Sequence, residues 1–129
     1  MALRINDSLE HLARNMENGD STSIMIETIG GTAMDNPIRI EFDQRRNGAL
    51  AYDGDAIIGE CEYIIGEEGV WEIVHTGVRE AYGGRGIAKN LVLCLIVEAR
   101  KQGVKIRPIC SYAAKMMLGK DEFKDVCSN

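Results

Sequence analysis

The chain has 129 residues, 45% hydrophobic and 27% charged, which is enough for one buried core and too short for two enzyme domains. Lys and Arg number 15 against 20 Asp and Glu, a formal charge of -5, and aromatics make up only 5%. That balance leaves no basic footprint for nucleic acid or an anionic membrane, and no stacking platform for single-stranded bases. No apolar run approaches the roughly 20 residues of a membrane span, and the N-terminus carries no signal-peptide pattern. Cys61, Cys94, Cys110 and Cys127 are scattered, with no Cys-x-x-Cys, which argues against a zinc ribbon or a thioredoxin-type redox motif. The reading is a cytoplasmic chain with free thiols and no metal site.

Residues 1–36 read as an N-terminal extension, and 37–129 as one compact domain. In the extension, Asp7 and Glu10 form a capping-box pattern. Leu9, Leu12, Ala13 and Met16 follow at helical spacing, and Asn18-Gly19 ends that helix. Ser23–Ile29 reads as a possible strand before Gly30-Gly31. Asp35-Asn36-Pro37 is a turn at the junction.

From Ile38 the pattern is strands. Ile38, Ile40 and Phe42 alternate with Arg39, Glu41 and Asp43, and Asn47-Gly48 turns the chain. Ala49–Tyr52 and Ala56–Ile65 flank Asp53-Gly54, a two-residue hairpin signal. After Glu67-Glu68-Gly69, Trp71–Thr76 is a further strand. Its alternation sends Trp71, Ile73 and His75 one way and Glu72, Val74 and Thr76 the other. Beyond Glu80 the period becomes helical: Ile87, Leu91, Cys94, Leu95 and Ala99 form an apolar face, closed by Gly103. Val104–Cys110 reads as a strand whose pairing Pro108 interrupts. Tyr112–Leu118 and Asp121–Val126 read as two short helices. The order predicts an α+β fold, a meander followed by one central helix, and not a doubly wound sheet.

The sharpest feature is Gly83-Gly84-Arg85-Gly86-Ile87-Ala88, between a strand and that helix. Glycines allow tight turns and close ligand approach, and the first N–H groups of a helix hold anions. A Walker A loop fails, because Ala88-Lys89-Asn90 lacks the glycine before the Lys and the hydroxyl after it. A dinucleotide fingerprint fails because Lys89 stands at its last glycine. The unit resembles motif A of the Gcn5-related N-acetyltransferases, with pattern Gln/Arg-x-x-Gly-x-Gly/Ala. Gly86 and Ala88 match its last two positions, and Gly83 departs from its first. Trp71–Val78, Ala99–Gly103, Ile106–Tyr112 and Lys120–Val126, in this order, are similar to the small single-domain (YjdJ-like) members of that group. Lys120-Asp121 replaces a His-Pro in the last of these segments.

The resemblance implies a GNAT-like fold: a mostly antiparallel mixed sheet, split at the cofactor site, with its central helix after the pyrophosphate loop. It implies acetyl-coenzyme A as cofactor. The pyrophosphate would lie against Gly83, Gly84, Arg85, Gly86, Ile87, Ala88 and Lys89, and the pantetheine arm beside Thr76, Gly77 and Val78. The small members' His and Cys pair carries over to His75 and Cys110, placed on neighbouring strands across the split. Tyr112 is a further candidate, as proton donor to the leaving thiolate. His75 suits a base near neutral pH. Two routes stay open at this point: direct attack of an amine on the thioester, which is favoured, or prior transfer to Cys110 activated by His75. The acceptor is an amine on a small molecule or a protein, and the acidic charge favours a basic one. The rival reading is a coenzyme A-binding module without efficient catalysis. Acceptor identity and oligomeric state, monomer or weak dimer, are not specified by the sequence.

Overall fold

The structure is a computed structural model that describes residues 23–26 and 37–128. The helix expected over 7–19 and the expected strand's last residues, 27–29, lie outside the described residues. Among the described residues six strands form one sheet in chain order: β1 (Ser23–Ile26), β2 (Ile38–Asp43), β3 (Gly48–Asp53), β4 (Ala56–Ile65), β5 (Trp71–Val78) and β6 (Ile106–Pro108). The pairings from β1 to β5 are antiparallel. The β5–β6 pairing is parallel, so it needs a crossover, and the helix α1 (Ile87–Gln102) supplies it. A second helix, α2 (Ser111–Met117), follows β6. Among the described residues no helix is long and apolar enough to cross a membrane.

The element ends differ from the sequence reading in instructive ways. Asp53 pairs with Ala56, so the hairpin loop is Gly54-Asp55, with Gly54 at φ 62° taking the left-handed position. The strand expected over 104–110 shrinks to Ile106–Pro108. Proline cannot extend the ladder, and the N–H groups of Ile109 and Cys110 instead converge on the Ile73 carbonyl at 3.0 and 2.9 Å. Cys110 is therefore the N-cap of α2 rather than a strand end. The helix expected over 121–126 is a 3-10 turn, Asp121–Phe123, after which Cys127 bridges back to Ile106.

One face of the sheet is covered by α1. Ile87, Leu91, Cys94, Leu95 and Ala99 are buried, as their spacing predicts, and so are Val92, Leu93, Ile96 and Val97. The helix ends at Gly103, whose φ of 74° lets its N–H reach the Ala99 and Arg100 carbonyls. On the same face Phe42, Tyr63 and Trp71 stack, with centroids 4.1 Å apart for Tyr63–Trp71 and 5.7 Å for Phe42–Trp71. Aromatic pairs of this kind add about 0.5–1.5 kcal/mol beyond burial. Phe42→Leu, which keeps the apolar character and loses the ring, is expected to destabilise by about 1–2 kcal/mol. Urea unfolding checks it: the midpoint falls while the slope stays the same.

The expected common face of Trp71, Ile73 and His75 is overturned for His75. Glu62 pairs with His75 and the next residue, Tyr63, pairs with Ile73, so β5 carries one extra residue, Val74, at a bulge. Trp71 and Ile73 are buried against α1, whereas Val74 and His75 are both exposed. From the bulge onward the alternation is inverted. Thr76, opposite the buried Cys61, returns to the α1 face, and His75, opposite the exposed Glu62, looks away from it.

Candidate active site at the split between β5 and β6

Pairing between β5 and β6 runs from Trp71–Ile106 to Ile73–Pro108 and stops there. The chain after Pro108 turns into α2, while β5 continues to Val78. Among the described residues, 74–78 of β5 thus have β4 on one side and no strand on the other. This is an open sheet edge inside the fold, a place where an extended ligand can add as a strand.

The glycine loop lies between the end of β5 and α1. A 3-10 turn at Glu80–Tyr82 closes with the Gly83 N–H on the Glu80 carbonyl. Gly84 and Gly86 then take φ of 77° and 76°, a region that strains any side chain. Gly86 is the N-cap of α1, with no side-chain cap. Its carbonyl accepts from the Asn90 N–H at 3.1 Å and from Asn90 Nδ2 at 2.8 Å. Among the described residues nothing accepts from the N–H groups of residues 84–89, which is the orphan-donor set of a helix start. A Cβ on Gly84 would meet nothing within 4 Å. The Arg85 guanidinium lies 5.4 Å from the Tyr82 ring centroid, and the Tyr82 hydroxyl donates to the Asp53 carboxylate at 2.5 Å. Unpaired N–H groups, open space above Gly84, and the exposed cations Arg85 and Lys89 form a donor set that fits a diphosphate. The loop holds Gly83 where the motif has Gln or Arg, so the backbone supplies more of that set.

The two sides of the split differ in chemistry. On the α1 side, Thr76 Oγ1 lies 3.4 Å from Cys61 Sγ and 3.5 Å from Cys110 Sγ, and the Ala113 N–H donates to Cys110 Sγ at 3.4 Å. Burial pushes the Cys61 thiol up to about 12. On the other side, His75, Glu60 and Glu62 bring one nitrogen and two carboxylate oxygens within 4.8 Å of one another, a set that can bind a cation. The Glu62 carboxyl is raised by its hydrogen bond with Glu60 and by burial, against the opposing pull of His75. Gly77 leaves room for the imidazole, since a Cβ there would come 3.0 Å from His75 Nε2. The phenol of half-exposed Tyr112, at the start of α2, is raised by burial and keeps its proton.

The split therefore gathers Thr76, Gly77, Val78, Cys110 and His75 but puts His75 and Cys110 on opposite faces of the sheet. Among the described residues no hydrogen bond joins them. All four cysteines are free thiols.

The GCN5-related N-acetyl-transferase family matches residues 48–126. Over 82 residues the chain is 34% identical to Protein NATD1 of Mus musculus, covering 61% of this chain and 73% of that protein. The chain belongs to the GCN5-related N-acetyltransferase family. The matched range takes in β3 through the last 3-10 turn, and with it every candidate residue of the split and the loop. Membership in a family of acetyltransferases supports an acyltransferase here, built on the expected mixed, mostly antiparallel sheet.

Several residues of the site were not picked out by sequence reasoning. Asn90 is fully buried, and its Oδ1 has no hydrogen-bond partner among the described residues. Its signal was available: a lone amide four residues after Gly86, at the head of an apolar run. Glu60, Glu62 and the Cys61–Thr76 contact had no such signal, because they depend on the register between β4 and β5.

Proposed function

We propose that the chain is an acetyl-CoA-dependent N-acetyltransferase in which an amine attacks the thioester directly. The observation that carries this reading is the free N-terminus of α1, opened by Gly84 and Gly86 beside an unpaired β5 edge. Bound acetyl-CoA supplies the activated acetyl group. The N–H groups of residues 84–89, with Arg85 and Lys89, hold the diphosphate, and the edge at Thr76–Val78 takes the pantetheine amides as an added strand. His75 faces solvent on the outer side and takes the proton of the incoming amine. The neighbouring Glu60 and Glu62 suit an acceptor that arrives as a cation, such as a polyamine or a lysine side chain. Tyr112 offers its proton to the departing sulfur.

The facing of His75 supports direct attack over a Cys110-linked route. A cysteine nucleophile needs its base within about 2.6–3.2 Å, and Cys110 is bonded to Thr76 and Ala113 on the opposite face. Titration calorimetry tests the reading: acetyl-CoA is expected to bind at least about tenfold tighter than ATP or NAD, since the loop lacks the glycine before Lys89 and the hydroxyl after it that an NTP site needs. Equal or tighter binding of ATP would refute it. Tight acetyl-CoA binding with no transfer to any amine in a panel of polyamines and lysine peptides would instead identify a binding module.

A further inference from the structure

We propose that Tyr82 is a positioning residue for the glycine loop, its hydroxyl tied to Asp53 and its ring supporting the Arg85 guanidinium, so that Arg85 meets the diphosphate of the acyl donor already in place. The inference rests on the acetyl-CoA reading. It adds which side chain of the loop is pre-organised for the anion, and by what.

Arg85 stands between Gly84 and Gly86, which take φ of 77° and 76°. Gly83 offers no side chain, so Arg85 is the one cation within residues 83–86. An arginine on so glycine-rich a segment has backbone and side-chain freedom to lose when it binds an anion, and that loss subtracts from affinity. The Tyr82 ring limits that freedom. The guanidinium lies over it, 5.4 Å from the centroid, within the range of a cation–π contact. Among the described residues no carboxylate pairs with Arg85, so its charge is left for a ligand.

Tyr82 is itself fixed from several directions. Its hydroxyl donates to Asp53, at the end of β3, at 2.5 Å. That bond raises the phenol, which keeps its donating proton near neutral pH. The Tyr82 N–H donates to the Arg79 carbonyl at 2.8 Å, and the Arg79 N–H donates to the Ile58 carbonyl on β4 at 2.8 Å. The half-buried ring packs against the core. The root of the loop is thus anchored on two strands, whereas among the described residues nothing accepts from the N–H groups of 84–89. The Tyr82 ring links the anchored part of this segment to the part left open for the anion.

A tyrosine that merely stabilised the fold would act on the loop as a whole; one that works through Arg85 matters only while Arg85 is present. Calorimetry tests this with two ligands: acetyl-CoA, and S-acetyl-pantetheine, which has the thioester arm and no diphosphate. Arg85→Ala is expected to weaken acetyl-CoA binding about tenfold, the worth of a hydrogen bond to a charged group. Tyr82→Leu is expected to weaken it about fivefold, with S-acetyl-pantetheine bound as by the native protein. The double variant Tyr82→Leu/Arg85→Ala is expected to bind acetyl-CoA about as weakly as Arg85→Ala alone, because groups that act as one unit are not additive. Additive losses, about fiftyfold in the double variant, would overturn the proposal. Unchanged acetyl-CoA binding by Tyr82→Leu, or equal weakening of both ligands, would overturn it too. Should Tyr82→Leu unfold, Tyr82→Phe keeps the ring and drops the tether to Asp53. Its expected loss is about threefold with Arg85 present and none in Arg85→Ala; the same loss in both backgrounds would overturn the proposal. A native protein that does not bind acetyl-CoA would refute the acetyltransferase reading and the proposal with it, whereas native binding with additive variants would refute the proposal alone.

Discussion

Gly86→Asp is expected to weaken acetyl-CoA binding by on the order of 100-fold, through two separable effects. Gly86 sits at φ 76°, where a side chain costs about 1–2 kcal/mol. The aspartate would also place a negative charge at the N-terminus of α1, where the proposed diphosphate competes for the same N–H groups. In the free protein these effects oppose each other, because an acidic side chain at a helix start is itself stabilising. The melting temperature should therefore fall little while binding is lost. Gly86→Ala carries the strain without the charge and should bind acetyl-CoA better than Gly86→Asp. Gly103→Ala places the same kind of strain at φ 74° at the far end of the helix and should leave binding unchanged. Calorimetry on the three variants separates them. Full binding by Gly86→Asp would mean that the loop is a structural turn and that the anion site lies elsewhere.

Most of the fold was legible because it is written in local patterns. The alternation of Ile38, Ile40 and Phe42 gave β2 to the residue, and the helical spacing from Ile87 to Ala99 gave α1 with its glycine ends. What escaped depends on pairing between distant segments. Nothing in Trp71–Val78 marks Val74 as the residue left without a partner. The bulge is a mismatch between β4 and β5, and it alone decides that His75 and Thr76 exchange faces. Pro108 correctly signalled an end to pairing. That both following N–H groups would share the Ile73 carbonyl and make Cys110 a helix cap is a tertiary outcome. The glycine loop was readable for the opposite reason: its conformation is fixed by residue type at Gly84 and Gly86, whatever the rest of the chain does. The residues proposed for chemistry fall between these cases. Their identities could be read, and the faces they occupy could not.

That facing decides the last expectation. His75→Ala is expected to lower kcat/KM for an amine acceptor by about 100-fold or more, the usual contribution of a positioned base. Cys110→Ala should lower it by less than about tenfold, with acetyl-CoA binding retained. In direct attack the new nitrogen–carbon bond forms as the carbon–sulfur bond of the thioester breaks. The amine proton passes to His75, and the leaving sulfur takes one from Tyr112 or solvent. Cys110 is needed in neither transfer; its place beside Thr76 affects only the shape and polarity of the split. A detour through Cys110 would exchange one thioester for another of nearly equal energy, so it adds no driving force and helps only by dividing one hard step in two. Intact-mass measurement of the native protein with acetyl-CoA and no acceptor should then show no acetyl adduct. The opposite pattern, loss of all turnover in Cys110→Ala with an adduct on the native protein that decays when amine is added, would show that the acetyl group passes through the cysteine. His75 would then have to act from the far face of the sheet, so β5 would have to rearrange around Val74 during turnover.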